Sequence, residues 1–197
     1  MSVFFVGYFH VLKHPVYAVT QMPLTALDRA IGFYAPALAA YVSLWLYVAI
    51  PPALLRTVRE LIAYGWWIGG LCILGLTCFF FWPTAVPPHA LDFTQHPGFQ
   101  VLQGVDAAAN ACPSLHVGTA VFSAIWLDRL LSEMGAGKPV RAVNWCWLAA
   151  IAYSTMAIKQ HVALDVLAGL MLGAAMALLS LPRRPVYAKQ GSGGEPQ

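Results

Sequence analysis

Charge is what this sequence has least of. Asp and Glu number 8 and Lys and Arg 11 in 197 residues, so 10% of the chain is charged, against about 25% in an ordinary soluble domain. A water-soluble fold of this size could not cover its surface with so few ionic groups. Intrinsic disorder, which needs a charge-rich and apolar-poor composition, is excluded for most of the chain by the same shortage. No run of five or six basic residues exists and the net charge is only +3, so nothing is present to hold a nucleic acid. Cysteine is sparse as well: Cys72, Cys78, Cys112 and Cys146 form no C-x-x-C pair, and neither a disulfide framework nor a zinc ribbon is read from them. Internal repeats are lacking. Residues 1–12 lack the basic n-region and small-residue cleavage site of a signal peptide.

Apolar surface is abundant. Hydrophobic residues make up 59% of the chain, and mean hydropathy is +0.66. A spanning helix needs about 20 apolar residues to cross roughly 30 Å of hydrocarbon at about 1.5 Å per residue. Five stretches qualify or come close: 30–55, 61–82, 114–131, 142–158 and 162–181. They predict an all-α, polytopic membrane helix bundle of about five transmembrane helices, a single domain over residues 30–181. Residues 1–29 form an N-terminal segment whose apolar part, 3–12, is too short to cross and reads as an interfacial helix. Residues 182–197 read as a basic membrane-flanking patch running into a disordered cytoplasmic tail. Seven Trp and eight Tyr suit interfacial aromatic belts. Gly169 and Gly173 have the small-xxx-small spacing of packed helices, and Asp128 with Arg129 reads as an interfacial pair.

Orientation follows from the basic residues. With five spans, Lys13, Arg29 and Lys159 fall on one side of the membrane. Arg56, Arg59, Arg129, Lys138, Arg141, Arg183, Arg184 and Lys189 fall on the other. The positive-inside bias places the second group in the cytoplasm. The N-terminus then lies outside and the C-terminus inside, and the expected location is a bacterial inner membrane. All six histidines (His10, His14, His89, His96, His116 and His161) fall on the outer side, which marks the working face.

Two strings on that face carry chemistry. Cys112-Pro113-Ser114-Leu115-His116 lies at the entrance to the third span, and Lys159-Gln160-His161-Val162-Ala163-Leu164-Asp165 at the entrance to the fifth. His161 and Asp165 are four apart, so on a helix they share a face. The carboxylate can accept a hydrogen bond from one imidazole nitrogen and leave the other bare, as a nucleophile requires. An aspartate at the edge of a bilayer is costly without a partner, and His161 is the nearest. Ser114 can cap the third helix or offer its hydroxyl to an anion beside the first backbone N–H groups. His116, with an ordinary pKa of about 6.5, can give a proton to a departing oxygen. Lys159 is the basic residue placed to neutralise a phosphate, and His89 and His96 are weaker candidates in the loop before Cys112. Nucleophile, orienter, acid and cation together form a set for phosphoryl transfer.

These strings resemble the type-2 phosphatidic acid phosphatase superfamily. Pro113-Ser114-Leu115-His116 is similar to its P-S-G-H motif, with Leu115 in place of Gly. Ser154-Thr155, five residues, His161, three residues and Asp165 are similar to its S-R-x5-H-x3-D motif, with Thr155 in place of Arg. Both substitutions, and the KQH-x3-D-VLAG string from Lys159 to Gly169, resemble the branch that includes inositol phosphorylceramide synthase, sphingomyelin synthase and related bacterial lipid phosphatases. LDRAIGFYAP, residues 27–36, is similar to that branch's first-span entrance, and the resemblance covers about residues 24–173. It implies that His161 attacks phosphorus to give a phosphohistidine, that Asp165 orients it, and that His116 protonates the leaving lipid alcohol. Water or a second alcohol then removes the phosphoryl group, with no metal or cofactor. The sequence departs from the pattern in two places. The K-x6-R-P motif has only the region 81–89 to match, which holds prolines but neither cation, and the Arg of the third motif is missing. Bidentate phosphate recognition by Arg is therefore absent, and Lys159 supplies a point charge.

The expected function is a membrane-embedded lipid phosphate phosphohydrolase or phosphotransferase, with a membrane lipid phosphate as substrate, the bilayer as its surroundings and no nucleic acid partner. One alternative is a metal-dependent membrane hydrolase using the outer histidines, although no H-E-x-x-H or comparable ligand cluster is present. Another is a non-enzymatic lipid transporter or scaffold, which would place ionisable residues near the bilayer midplane rather than at span ends.

Overall fold

The computed structural model describes residues 15–88 and 110–184, together with Gly7 and His10. The described chain begins with strand β1 (Thr20–Gln21) and helix α1 (Ala26–Ala30). A first apolar rod follows as α2 (Ala37–Val42) and α3 (Leu44–Leu54), bent at Ser43, whose hydroxyl donates to the Ala40 carbonyl at 2.6 Å. Pro51 and Pro52 remove two donors from its last turn, and the helix stops at Leu54. Helix α4 (Val58–Phe81) opens on a capping box, in which the Thr57 hydroxyl accepts from Glu60 N–H and the Glu60 carboxylate accepts from Thr57 N–H. Strand β2 (Thr84–Ala85) pairs in parallel with β1. Helices α5 (Leu115–Glu133), α6 (Lys138–Ala157) and α7 (Ala163–Ser180) complete the bundle, and a 3-10 turn closes it over Leu181–Arg183.

The all-α expectation holds: apart from two strands of two residues each, the regular structure of the described residues is helical. Three helices, Ala37–Leu54, Val58–Phe81 and Ala163–Arg183, are long and apolar enough to cross a membrane, and the chain is a membrane protein. The two other expected spans form helices of 19 and 20 residues, but they are less apolar. The reason is packing. Helix α5 is the centre of the bundle and buries Val117, Ala120, Val121, Phe122, Ala124, Trp126 and Leu127 against protein, so its sequence need not satisfy lipid. Helix α6 spends its polar positions on its neighbours. Asn144, 3% exposed, accepts from the Tyr47 hydroxyl at 2.6 Å and donates to the Ala124 carbonyl at 3.0 Å.

Lipid tails are as apolar as leucine, so helices in a bilayer associate through close packing and hydrogen bonds rather than hydrophobic burial. The α5–α7 crossing is the tightest here. A methyl added to Gly169 would drive into the Ser114 carbonyl oxygen and stand 3.2 Å from Val117 Cβ. One added to Gly173 would drive into the Gly118 carbonyl. The predicted small-residue spacing is thus the contact that brings the starts of α5 and α7 together.

Three further expectations need correction. The first span does not begin near residue 30: residues 31–36 are non-helical, and Pro36 stands just ahead of α2. Asp128 and Arg129 are not partners. Asp128 pairs with Arg141 at 2.6 Å and Arg129 with Glu133 at 2.8 Å, because i and i+1 on a helix face different directions. Residues 182–184, placed in a disordered tail, are ordered. Arg184 reaches Glu60 at 2.7 Å and Glu133 at 2.8 Å, joining the start of α4 to the end of α5. The expected interfacial helix at 3–12, apart from Gly7 and His10, and the tail from 185 onward lie outside the described residues.

Candidate active site

The last helix begins at Ala163, two residues after His161, so His161 and Asp165 are not on one helical face as expected. His161 sits in a turn instead. Its backbone N–H and that of Gln160 both donate to the Thr155 carbonyl, at 3.1 and 3.0 Å. Lys159 supplies the reversal in the left-handed region, with φ of 63°. Thr155, where the family pattern has Arg, therefore shapes the turn through its carbonyl. Asp165, fully buried, occupies the third position of α7. Its Oδ2 accepts the Val162 N–H at 3.0 Å and stands 3.6 Å from Nδ1 of His161, too far for a hydrogen bond. His161 is 8% exposed, and its Nδ1 and the other Asp165 oxygen, Oδ1, are both buried without a partner among the described residues. Two such atoms in one site are unusual.

His116 lies in the first turn of α5. Its ring centroid is 5.7 Å from that of His161. The two helix starts are tied directly, because Ser114 N–H donates to the Asp165 carbonyl at 3.0 Å. The structure thus brings His116, His161 and Asp165 together at one end of the bundle.

A family model of the PAP2 superfamily matches residues 9–179. The chain belongs to the PAP2 superfamily. No curated protein and no solved structure matches it. Membership supports a phosphatase-type function, and the two histidine strings that carried the resemblance are the ones that meet at this site.

The remaining residues expected at a PAP2 site are distributed differently. Ser114 caps α5: its hydroxyl accepts from Val117 N–H at 3.3 Å and is fully buried. The Lys159 ammonium points to the N-terminal segment, where it donates to the Ile31 carbonyl and, at 3.3 Å, to the Asp28 carbonyl. His89 and His96 lie outside the described residues. The region 81–89, without the cations of the first motif, does structural work: the Thr84 hydroxyl accepts from Cys112 N–H at 2.8 Å and its carbonyl accepts from Ala111 N–H at 2.9 Å. That fixes the segment leading into Ser114 and His116. Burial, with the Asp165 charge adding to it, pushes the Cys112 thiol up to about 11, so this neighbour of the site is no thiolate at neutral pH. Among the described residues no three His, Cys, Asp or Glu side chains are grouped to hold a metal ion.

Two residues at the site had no role in the sequence reading. Tyr41, on α2 and 5% exposed, places its hydroxyl 2.8 Å from Nε2 of His116. Asp28, in α1, caps the last helix from 135 residues away: Oδ1 accepts Ala163 N–H at 2.7 Å, while Oδ2 accepts from the Thr25 backbone at 2.8 Å and the Thr25 hydroxyl at 2.7 Å. Burial pushes the Asp28 carboxyl up, but the hydrogen bonds from Thr25 and Ala163 and the Lys159 charge outweigh it and hold the pKa below its ordinary 3.8. The T-x-x-D spacing of Thr25 and Asp28 is a readable helix-start signal. Nothing in it announces that the same carboxylate also caps a distant helix.

Proposed function

We propose that this protein is a membrane-embedded phosphohydrolase or phosphotransferase of lipid phosphates that works through a phosphohistidine on the extracytoplasmic face. One observation carries the reading: two imidazoles 5.7 Å apart, one of them with its Nδ1 beside a buried carboxylate that is not yet bonded to it. With Nδ1 turned to Asp165, Nε2 on the opposite edge of the His161 ring is the nitrogen that attacks phosphorus. The P–O bond to the lipid alcohol breaks as the P–N bond forms. The departing oxygen takes a proton from His116, and Asp165 stabilises the charge that His161 gains. In the second step water or an alcohol attacks phosphorus, His116 takes its proton back, and the P–N bond breaks.

The lipid part of the proposal rests on the surroundings. An apolar groove of about 680 Å³ runs between α6 and α7. Leu27, Met156 and Ala163 line its outer part, and Ala152, Leu167 and Leu170 continue it along the bundle. Leu27 adjoins Asp28, and Ala163 is two residues from His161, so an acyl chain in the groove would leave its head group near the histidines. The outer face follows from the charge asymmetry: the end opposite the histidines carries Arg56, Arg59, Arg129, Lys138, Arg141, Arg183 and Arg184, which positive-inside assigns to the cytoplasm.

The test is a panel of lipid phosphates offered to purified protein in detergent without added metal and with a chelator present. It is scored for free phosphate, for new phosphodiesters and for an acid-labile phosphoprotein. At least one lipid should be turned over, and His161→Ala should abolish both turnover and labelling. His116→Ala should lower turnover of alkyl phosphates by about 10²–10⁴-fold, the usual weight of a general acid. Undiminished activity in His161→Ala, or activity that the chelator removes, would refute the mechanism.

A further inference from the structure

Helix α2 lies against the end of α6, where Ala37 and Tyr41 pack with Ala157 and Ile158. Just before α2, Tyr34 N–H donates to the Ala157 carbonyl at 3.0 Å. That packing delivers one buried phenol to the site. The Tyr41 ring is tilted 33° over His116 with centroids 4.8 Å apart, and its hydroxyl is 2.8 Å from Nε2. Within the bundle, Nε2 is therefore already engaged by a protein partner.

We infer that Tyr41 is the positioning residue of the acid step: its hydroxyl holds Nε2 of His116, so that Nδ1 is the nitrogen that carries the proton to the leaving oxygen. The inference rests on the reading of His116 as the acid. In the imidazolium both nitrogens bear protons. Nε2–H donates to the Tyr41 oxygen and remains there, while Nδ1–H transfers to the lipid oxygen as the P–O bond breaks. His116 leaves the step neutral with its proton on Nε2, and Nδ1 is bare to accept the proton of the incoming water or alcohol. Tyr41 exchanges no proton. It fixes the tautomer and the ring angle, as the partner of the second imidazole nitrogen commonly does.

The test is Tyr41→Phe, which keeps the ring and its packing and removes only the hydroxyl, assayed on two phosphate esters. An alkyl phosphate lipid has a leaving group that must be protonated; p-nitrophenyl phosphate has one that leaves as the anion. The expected result is a first-turnover rate of alcohol release from the alkyl substrate lowered by about 10–100-fold, the usual cost of a small misplacement, with KM within about twofold and first-turnover release of p-nitrophenolate within about threefold, because the later hydrolysis step that also uses His116 is common to both esters. In a His116→Ala background, Tyr41→Phe should cost nothing further, because its effect passes through that ring. Equal loss on both esters, no loss on either, or an undiminished effect in the His116→Ala background would overturn the inference. Failure of the underlying reading looks different, since His116→Ala itself would then turn over the alkyl phosphate at the wild-type rate.

Discussion

Replacing Asp28 by Ala removes the acceptor that Ala163 N–H at the start of α7 and Thr25 N–H at the start of α1 have among the described residues. The Thr25 hydroxyl can turn to water, whereas the two backbone donors are held in place by the helix starts. A buried donor left without a partner costs about 1–3 kcal/mol, so two bracket about 2–6. Because Asp28 is 9% exposed and both bonds are only partly buried, the expected loss is about 3 kcal/mol, the low end for two hydrogen bonds to a charged group at about 1.5–3 kcal/mol each. For a chain of this length each kcal/mol moves Tm by about 2–4 °C, so the drop should be about 6–12 °C. Tryptophan fluorescence of the protein in detergent micelles reads it directly. Asp28→Asn keeps an oxygen for Ala163 and should lose about half as much. The pH dependence has a definite sign. The folded-state pKa lies below the ordinary 3.8, so the stabilisation is fully present above about pH 4 and fades as the pH falls through the lowered value. The advantage of wild type over Asp28→Asn should shrink in the same window. An Asp28→Ala variant that melts within 2 °C of wild type would refute the reasoning.

Two other outcomes test the fold around the site. Gly169→Ala gains about 1 kcal/mol of helix propensity, yet its methyl meets the Ser114 carbonyl and Val117. It should force α5 and α7 apart and lower kcat by about 10²-fold; unchanged turnover on any phosphate ester would show that the crossing does not set the His116–His161 spacing. Ala152→Trp fills the groove between α6 and α7. It should lower kcat/KM on long-chain lipid phosphates by more than about tenfold, a loss of about 1.4 kcal/mol, and leave p-nitrophenyl phosphate hydrolysis within about twofold; equal effects on both substrates would remove the groove from the account.

The parts of the site that could be read from sequence are those carried by short spacings. His116 follows Ser114 by two residues and Asp165 follows His161 by four, and the fold preserves both neighbourhoods. The helical geometry behind the second pair was not legible. Val162 is a poor capping residue, and only Asp165 at the third helical position signals that the helix starts after His161 rather than before it. Tyr41 and Asp28 were out of reach for a different reason. Each acts on an element 75 to 135 residues away, and a single Tyr or Asp in a first helix has no local pattern that names its partner. Lys159 shows the converse: its position beside His161 suggested a phosphate ligand, while its left-handed backbone turns the ammonium to the carbonyls of Asp28 and Ile31. All five expected spans form helices, and the two that are less apolar are α5, which is buried among its neighbours, and α6, whose polar Asn144 bonds to them.

Arg184 gives the bundle unlike ends. It bridges Glu60, which already closes the capping box of α4, to Glu133 at the foot of α5, and its guanidinium lies 5.6 Å from the Trp126 ring centroid. This ion pair fastens the start of α4 to the end of α5 at the end of the bundle opposite the histidines. The histidine end is instead joined by close packing of α5 on α7, so on the proposed reading the charged clamp holds the bundle at the end away from the chemistry and leaves the reacting end to small residues and backbone.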